Sequence, residues 1–193
     1  MERAAELFAE RGIAGTSLDE VLAAAKAGKG QFYHYFRSRD ELAAAAVEHR
    51  CAQVVAGLTE GLGEVSSLAG LEQALAGFIG DFDRQGLPGC PIGTLATEVA
   101  GRNEAARIQA AEGFDAWERL LADALERMRQ RGELRADAAP AVLATGLLAS
   151  IEGGMVLSQA RKDMTSLRIA VDAGLAQVWT YLKLVCTKPS TSC

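Results

Sequence analysis

The chain has 193 residues, 49% of them hydrophobic and 23% charged, with a formal net charge of −5. That balance suits one globular domain, or a small module joined to a medium one, and it excludes both wholesale disorder and a polyanion binder acting through bulk charge. Any nucleic-acid contact must come from a local basic patch. Alanine, the best helix former, occurs 36 times, and the 4 prolines all lie at Pro88 or beyond, so the expected class is all-α. Aromatic residues make up 6%, which does not favour strand-rich folds.

The longest apolar run, Ala138 to Ile151, is shorter than the ~18 residues a membrane span requires. No charged-then-apolar leader opens the chain. A cytoplasmic protein with no membrane partner is therefore expected. Cys51, Cys90, Cys186 and Cys193 are scattered without a CxxC pair. That favours free thiols in a reducing cytosol over a disulfide frame or a zinc site. His49, beside Cys51, reads as packing or solvated surface. No metal and no cofactor is expected.

In chain order, residues 1–12 read as a helix, with Ala4, Leu7, Phe8 and Arg11 at helical spacing and Gly12 as its stop. Thr16-Ser17 followed by Asp19-Glu20 opens a second helix, which runs to about Ala25. Lys26, Ala27 and Gly28 connect it to an apolar stretch, Phe32, Tyr33 and Phe36. Ser38 caps a longer helix whose inward stripe is read as Leu42, Ala45, Ala46, His49 and Val54. A Gly/Ser-rich patch from Gly57 to Gly70 weakens or breaks the pattern. Leu71, Leu75, Phe78, Ile79 and Phe82 mark the next helix, and Gly86 to Pro91 is the clearest loop. Ile92 to Gly101 reads as a short helix. Ala105 to Arg131 reads as a long one with Ile108, Phe114, Trp117, Leu120, Leu121, Leu125 and Met128 inward, closed by Gly132. Asp137 and Pro140 open a helix to about Ala160, and a last helix spans Ser166 to Val185.

The second and third helices, joined by a tight turn, have the helix-turn-helix layout, in which one helix braces while the next lies in the major groove. Residues 1–50 carry seven Lys/Arg and eight Asp/Glu, yet Ala24 to Arg39 holds four cations (Lys26, Lys29, Arg37 and Arg39) and no acid. This is where phosphates would be met. Gln31 can pair bidentately with adenine, and Lys29 can reach a guanine edge or a phosphate. Tyr33, His34 and Tyr35 can donate to phosphate oxygens or touch a thymine methyl. Phe32 and Phe36 are assigned to the core, and Tyr33 to a phosphate because its hydroxyl needs a wet polar partner.

The segment AAELFAERGIAGTSLDEVLAAAKAGKGQFYHYFRSRDEL, above all KGQFYHYF followed by SRDEL, resembles the N-terminal domain of TetR/AcrR-family transcriptional regulators. The resemblance covers residues 4 to about 47. It implies that Ser17 caps the second helix and touches phosphate, that Lys29, Gln31, Tyr33 and His34 are recognition-helix contacts, and that Arg39, where the family usually has Lys, grips phosphate. Lys26 stands where the family usually has Gly in the turn, which requires some strain or an altered turn, and Ala27 replaces a usual Val. The family also has a further turn or two before AAELF. Here Met1 comes almost at once, so either the first helix is short or the natural start lies further back.

The resemblance further implies a DNA-binding domain at 1–47 and a helical effector-binding and dimerisation domain at 48–193. GCPIGTLATEVA and GELRADAAPAVLATGLLASIEGG look like the C-terminal halves of one subset of these regulators. For dimerisation, Gly146, Ser150, Gly153/Gly154 and Leu157 fall on one face, a stripe of mostly small residues. Leu167, Val171, Leu175, Val178, Leu182 and Val185 form an apolar one. The pair suits a four-helix interface across a two-fold axis, the alternative being that both stripes face the chain's own core. Phe78, Phe82, Phe114, Trp117, Leu121, Ile151 and Met155 are candidate lining for an apolar ligand, though each alone fits plain core. Cys90, in its Gly/Pro loop, could be exposed as a redox or electrophile sensor, although no basic sequence neighbour lowers its pKa.

The expected function is a dimeric DNA-binding regulator, a repressor released from a double-stranded operator by a small, largely apolar effector. A DNA-binding regulator without an effector and a helical ligand carrier are the alternatives. With two His and no GxSxG, HExxH or phosphate loop, no catalytic constellation is present and an enzyme is not expected.

Overall fold

The computed structural model describes residues 1–87 and 89–183. Among them there are nine helices: α1 (Glu2–Arg11), α2 (Leu18–Ala25), α3 (Lys29–Tyr35), α4 (Arg39–Leu62), α5 (Leu68–Arg84), α6 (Pro91–Val99), α7 (Glu104–Gln130), α8 (Pro140–Arg161) and α9 (Thr165–Trp179). The only β pairing among the described residues is an isolated bridge between Leu134 and Leu182.

Local chemistry places most of the helix ends. Ser17 and Glu20 form a reciprocal capping box on α2, the Ser17 hydroxyl oxygen accepting from the Glu20 amide at 3.2 Å and Glu20 Oε2 accepting from the Ser17 amide at 2.7 Å. Ser38, Ser67 and Asn103 cap α4, α5 and α7 in the same one-sided way. Gly132, at φ 76°, closes α7, with the Glu133 amide reaching back to the Met128 carbonyl. Asp137 does not cap α8. It is held by Arg135, and the N-cap position is Ala139 with no side-chain bond.

α1, α2 and α3 form a small bundle sealed by Phe8, Ile13, Val21, Leu22 and Phe32, all buried, with Phe36 half-buried below α3. Lys26 adopts the left-handed conformation at φ 51°, ψ 40°. Its own amide and that of Ala27 bond back to the carbonyls of Ala23 and Leu22. This is the turn closure that glycine usually provides, reached here by a residue with a Cβ.

α4 runs unbroken from the bundle into the rest of the molecule and packs along α7, while α8 and α9 form an antiparallel hairpin on the far side of α7. Two close approaches depend on glycine. A Cβ at Gly113 of α7 would stand 2.7 Å from Cys51 Sγ, and one at Gly154 of α8 would stand 2.9 Å from the Leu167 Cα.

Several sequence expectations are corrected. Gly57 and Gly61 lie inside α4, so the break falls at residues 63–67. The buried stripe of α4 is Leu42, Ala43, Ala46, Val47 and Cys51, with Ala45, His49 and Val54 half-buried, because α4 turns a different edge toward α7. Ile108 is exposed rather than inward. α9 ends at Trp179, since the chain turns there to place Leu182 beside Leu134, and Val185, Cys186 and Cys193 lie outside the described residues. α8 is, by length and composition, long and apolar enough to cross a membrane. Much of that apolar surface is accounted for by packing on α7 and α9.

Lys26→Gly should stabilise the protein by roughly 1 kcal/mol, because a left-handed residue with a Cβ costs about that much relative to glycine. Urea unfolding with an unchanged m-value is the check.

Candidate nucleic-acid interface and cavity

α3 is held by Phe32, which is 5% exposed. With that side chain inward, Lys29, Gln31, Tyr33, His34 and Tyr35 all stand exposed on the helix, Tyr33 at 61% and Tyr35 at 68%. Ser17 is exposed at the start of α2, and Arg37 is exposed just after α3. In space the basic patch is not free of acid. Lys29 Nζ lies 3.1 Å from Asp19 Oδ1 in the first turn of α2, with both side chains well exposed. Exposed pairs of this kind are worth about 0.2–1 kcal/mol, so a phosphate can displace the carboxylate.

Arg39 departs from expectation. It is half-buried, and its guanidinium donates to the Thr16 carbonyl at 2.7 Å and also to the Ile13 carbonyl. Its Nε and Nη2 are thus engaged by the α1–α2 loop rather than turned outward. It fixes the loop that carries Ser17. The same loop is gripped from the other side by Glu98 of α6, whose Oε1 accepts from the Ala14 amide at 2.7 Å. Gly12, at φ 77°, leaves room for that carboxylate, since a Cβ there would stand 2.8 Å from Glu98 Oε1. Asn103 adds a further tie, donating from Nδ2 to the Asp40 carbonyl at 3.0 Å.

A cavity of about 660 Å³ opens between α4 and α5. Phe78, Phe82, Trp117 and Met155 line it, and the Phe78 and Trp117 rings lie 5.8 Å apart. Leu121 and Ile151 do not line it and have no exposed surface, being packed in the core, and Phe114 is half-buried outside the lining. Sequence reasoning missed Val54, Leu58 and Leu62 on α4, and three glycines, Gly57, Gly61 and Gly77. A Cβ at any of these glycines would meet nothing within 4 Å. Mid-helix glycine costs about 1 kcal/mol relative to alanine, and glycines spaced four apart on one helix were the available signal.

Cys90 lines this cavity and is buried, not exposed. It is the N-cap of α6, with Sγ accepting from the Gly93 amide at 3.3 Å. Burial, reinforced by the neighbouring Glu152 carboxylate, pushes its thiol well above the ordinary range. It rests as a thiol, contrary to the profile of a reactive sensor. Glu152 of α8 is itself held above the usual carboxylate range, chiefly because burial disfavours its ionised form. Its Oε1 is enclosed without a hydrogen-bond partner among the described residues. Gly93 makes space for it, since a Cβ there would stand 2.8 Å from Glu152 Oε2. His49 Nε2 is also enclosed and has no hydrogen-bond partner among the described residues, beside a smaller cavity of about 270 Å³ between α1 and α4. No cluster of three metal-ligating side chains occurs among the described residues.

The expected dimerisation stripes divide differently. Val171, Leu175 and Val178 are buried within the chain, and Leu182 is half-buried at its bridge to Leu134. Gly146 and Ser150 serve the α8–α9 approach: a Cβ on Gly146 would stand 2.8 Å from Gln177 Oε1, and one on Gly174 would stand 3.3 Å from the Ser150 Cβ. Leu167 is buried too, and among the described residues of the two stripes Gly153 and Leu157 are the exposed ones. They share the outer surface of the hairpin with Val142, Val156 and Ile169, which are 59–70% exposed.

Residues 1–46 match the model of bacterial regulatory proteins of the tetR family, and residues 67–173 match that of the transcriptional regulator LmrA/YxaF-like C-terminal domain. The chain is 26% identical to the HTH-type transcriptional repressor DhaR of Mycobacterium sp. (strain GP1) over 158 residues, covering 81% of this chain and 78% of that protein. It is 32% identical to an uncharacterized HTH-type transcriptional regulator of Mycobacterium tuberculosis (strain H37Rv), covering 85% and 84%. Among solved structures it resembles the reduced form of E. coli NemR, with a TM-score of 0.76, 27% identity and 94% of each chain covered.

Glu152 binds its proton more tightly in the folded than in the unfolded chain, so its contribution is most favourable at low pH. That contribution falls as pH rises from the ordinary 4.5 through the raised value. Glu152→Gln should therefore raise the thermal midpoint at neutral pH and flatten its decline between acid and neutral pH, as measured by melts over a pH series.

Proposed function

The chain belongs to the TetR family of bacterial regulatory proteins and is a helix-turn-helix DNA-binding transcriptional regulator, and from that premise we propose that it is a repressor released from its operator when a small, largely apolar effector fills the cavity beside α4. We divide it into a DNA-binding part at 1–47 and an effector-binding and dimerisation part at 48–193, with α4 continuous across the division. A cytoplasmic location accords with this role.

The observation that carries the reading is α3, anchored through Phe32 and presenting Lys29, Gln31, Tyr33 and His34 outward. Gln31 is assigned to a base edge. Lys29, Tyr33, His34 and the exposed Ser17 are assigned to phosphates or neighbouring bases. Arg39 is assigned to positioning Ser17, and the outward cation beside it is Arg37.

In a two-fold dimer the recognition helices must lie about 34–36 Å apart, or a multiple of that, to enter successive major grooves. The outer surface of α8–α9 is the face we assign to that dimer, because Val142, Val156, Leu157 and Ile169 leave an apolar strip in water. Two helices lead from the cavity to the DNA-binding part. α4 lines the cavity and carries Arg39 at its start. α6 meets the cavity at Cys90 and Pro91 and grips the Ala14 amide through Glu98. An effector that displaces these helices changes the recognition-helix spacing, and release follows if it binds the DNA-incompetent arrangement better, by a coupling of about 1–3 kcal/mol.

The test is a gel shift with DNA from upstream of the chain's own gene at low salt, where absence of binding rejects the reading. Lys29→Ala should weaken binding uniformly and lower the salt slope by about 1, whereas Gln31→Ala should cost about 1–3 kcal/mol and relax preference at one base pair. Val156→Asp combined with Ile169→Asp should convert a dimer to a monomer in light scattering and abolish operator binding without unfolding the chain.

A further inference from the structure

The cavity between α4 and α5 has one charge sign. Among its described lining residues, Glu60 and Asp81 carry carboxylates, and there is no lysine, arginine or histidine. The rest of the lining is mostly apolar, with Phe78, Phe82, Trp117 and the soft sulfur of Met155, joined by the neutral polar groups of Gln85 and Cys90. We infer that the effector accepted here is a lipophilic cation: a bulky organic monocation with delocalised charge. The inference rests on the effector reading above.

The physical argument compares occupants. Glu60 borders the space with an exposed carboxylate that makes no ion pair among the described residues. A neutral occupant leaves that charge uncompensated, and an anion adds repulsion from two carboxylates. A cation offsets it and also meets aromatic ring faces, whose quadrupoles attract positive charge. Asp81 is at present paired with Arg84, one turn away on α5, but both side chains are largely exposed, so the pair is an exchangeable one.

Size points the same way. Gly57, Gly61 and Gly77 keep the walls clear, and about 660 Å³ falls within the roughly 300–1,000 Å³ typical of pockets for drug-sized molecules. A compact ammonium ion would leave most of the aromatic wall unmatched. A delocalised cation surrounded by apolar groups matches both parts, and the chain's net charge of −5 favours its approach.

The experiment uses tetraphenylphosphonium and tetraphenylborate, which share shape and size and differ in the sign of the charge. Binding to the full-length protein is followed by Trp117 fluorescence in a Trp179→Phe background and, separately, by thermal shift. The phosphonium should bind at least about tenfold more tightly than the borate. Glu60→Gln should narrow that preference severalfold, and Asp81→Asn should do so less, because Asp81 shares its charge with Arg84. Equal affinity, tighter binding of the borate, or binding of neither ion overturns the inference. Operator binding by the same samples, measured without either ion, tests the regulator reading separately. Its loss would reject that reading while leaving the charge preference of the cavity to stand or fall by the two ions.

Discussion

The architecture turns on how the loop between α1 and α2 satisfies its backbone polar groups. A short irregular segment between two helices has carbonyls and amides with no partners of their own. Here the carbonyls of Ile13 and Thr16 accept from Arg39 on α4, and the amide of Ala14 donates to Glu98 on α6. Three parts of the chain, separated by up to 84 residues in sequence, are thereby tied at one point. Ser17 begins α2 immediately after it, so the placement of the helix-turn-helix follows from these bonds.

That constraint also ties the loop to the two helices that reach the cavity. α4 and α6 each have one end at the loop and residues at the cavity. The cavity itself exists because three glycines leave open space on α4 and α5, and because the 89–93 segment is shaped by glycines around polar side chains of α8. Glycine is unfavourable in a helix interior, so these positions spend stability on space and on close approach. Cys90 follows the same logic: enclosed at the head of α6 with Glu152 behind it, its sulfur caps a helix rather than facing solvent.

Much of this was legible in the sequence. Capping signals at Ser17, Ser38 and Gly132 and the apolar spacing of Phe8, Leu71, Leu75 and Leu125 predict the helices where they are found. The exposed face of α3 follows from assigning Phe32 inward. Other readings failed for identifiable reasons. Gly57 and Gly61 looked like a break because glycine disfavours helices locally, but packing of α4 on α7 overrides that preference. The apolar stripe of α9 looked like a dimer face. α8 covers it within the same chain, and the unpartnered surface lies on the other side of the hairpin.

What the sequence determined by itself was which segments are helical, where most of them start, and which side chains of the third helix stand outward once Phe32 is buried. These depend on periodicity and on hydrogen bonds spanning only a few residues. Tertiary structure alone decided that Arg39 donates to the α1–α2 loop, that Asp19 meets Lys29, that Leu121 and Ile151 fill the core while Val54 and Leu58 border the cavity, and which face of α8–α9 is left in water. Each of these depends on the relative rotation of helices distant in the chain, and a helical repeat specifies an apolar face without specifying what will stand opposite it.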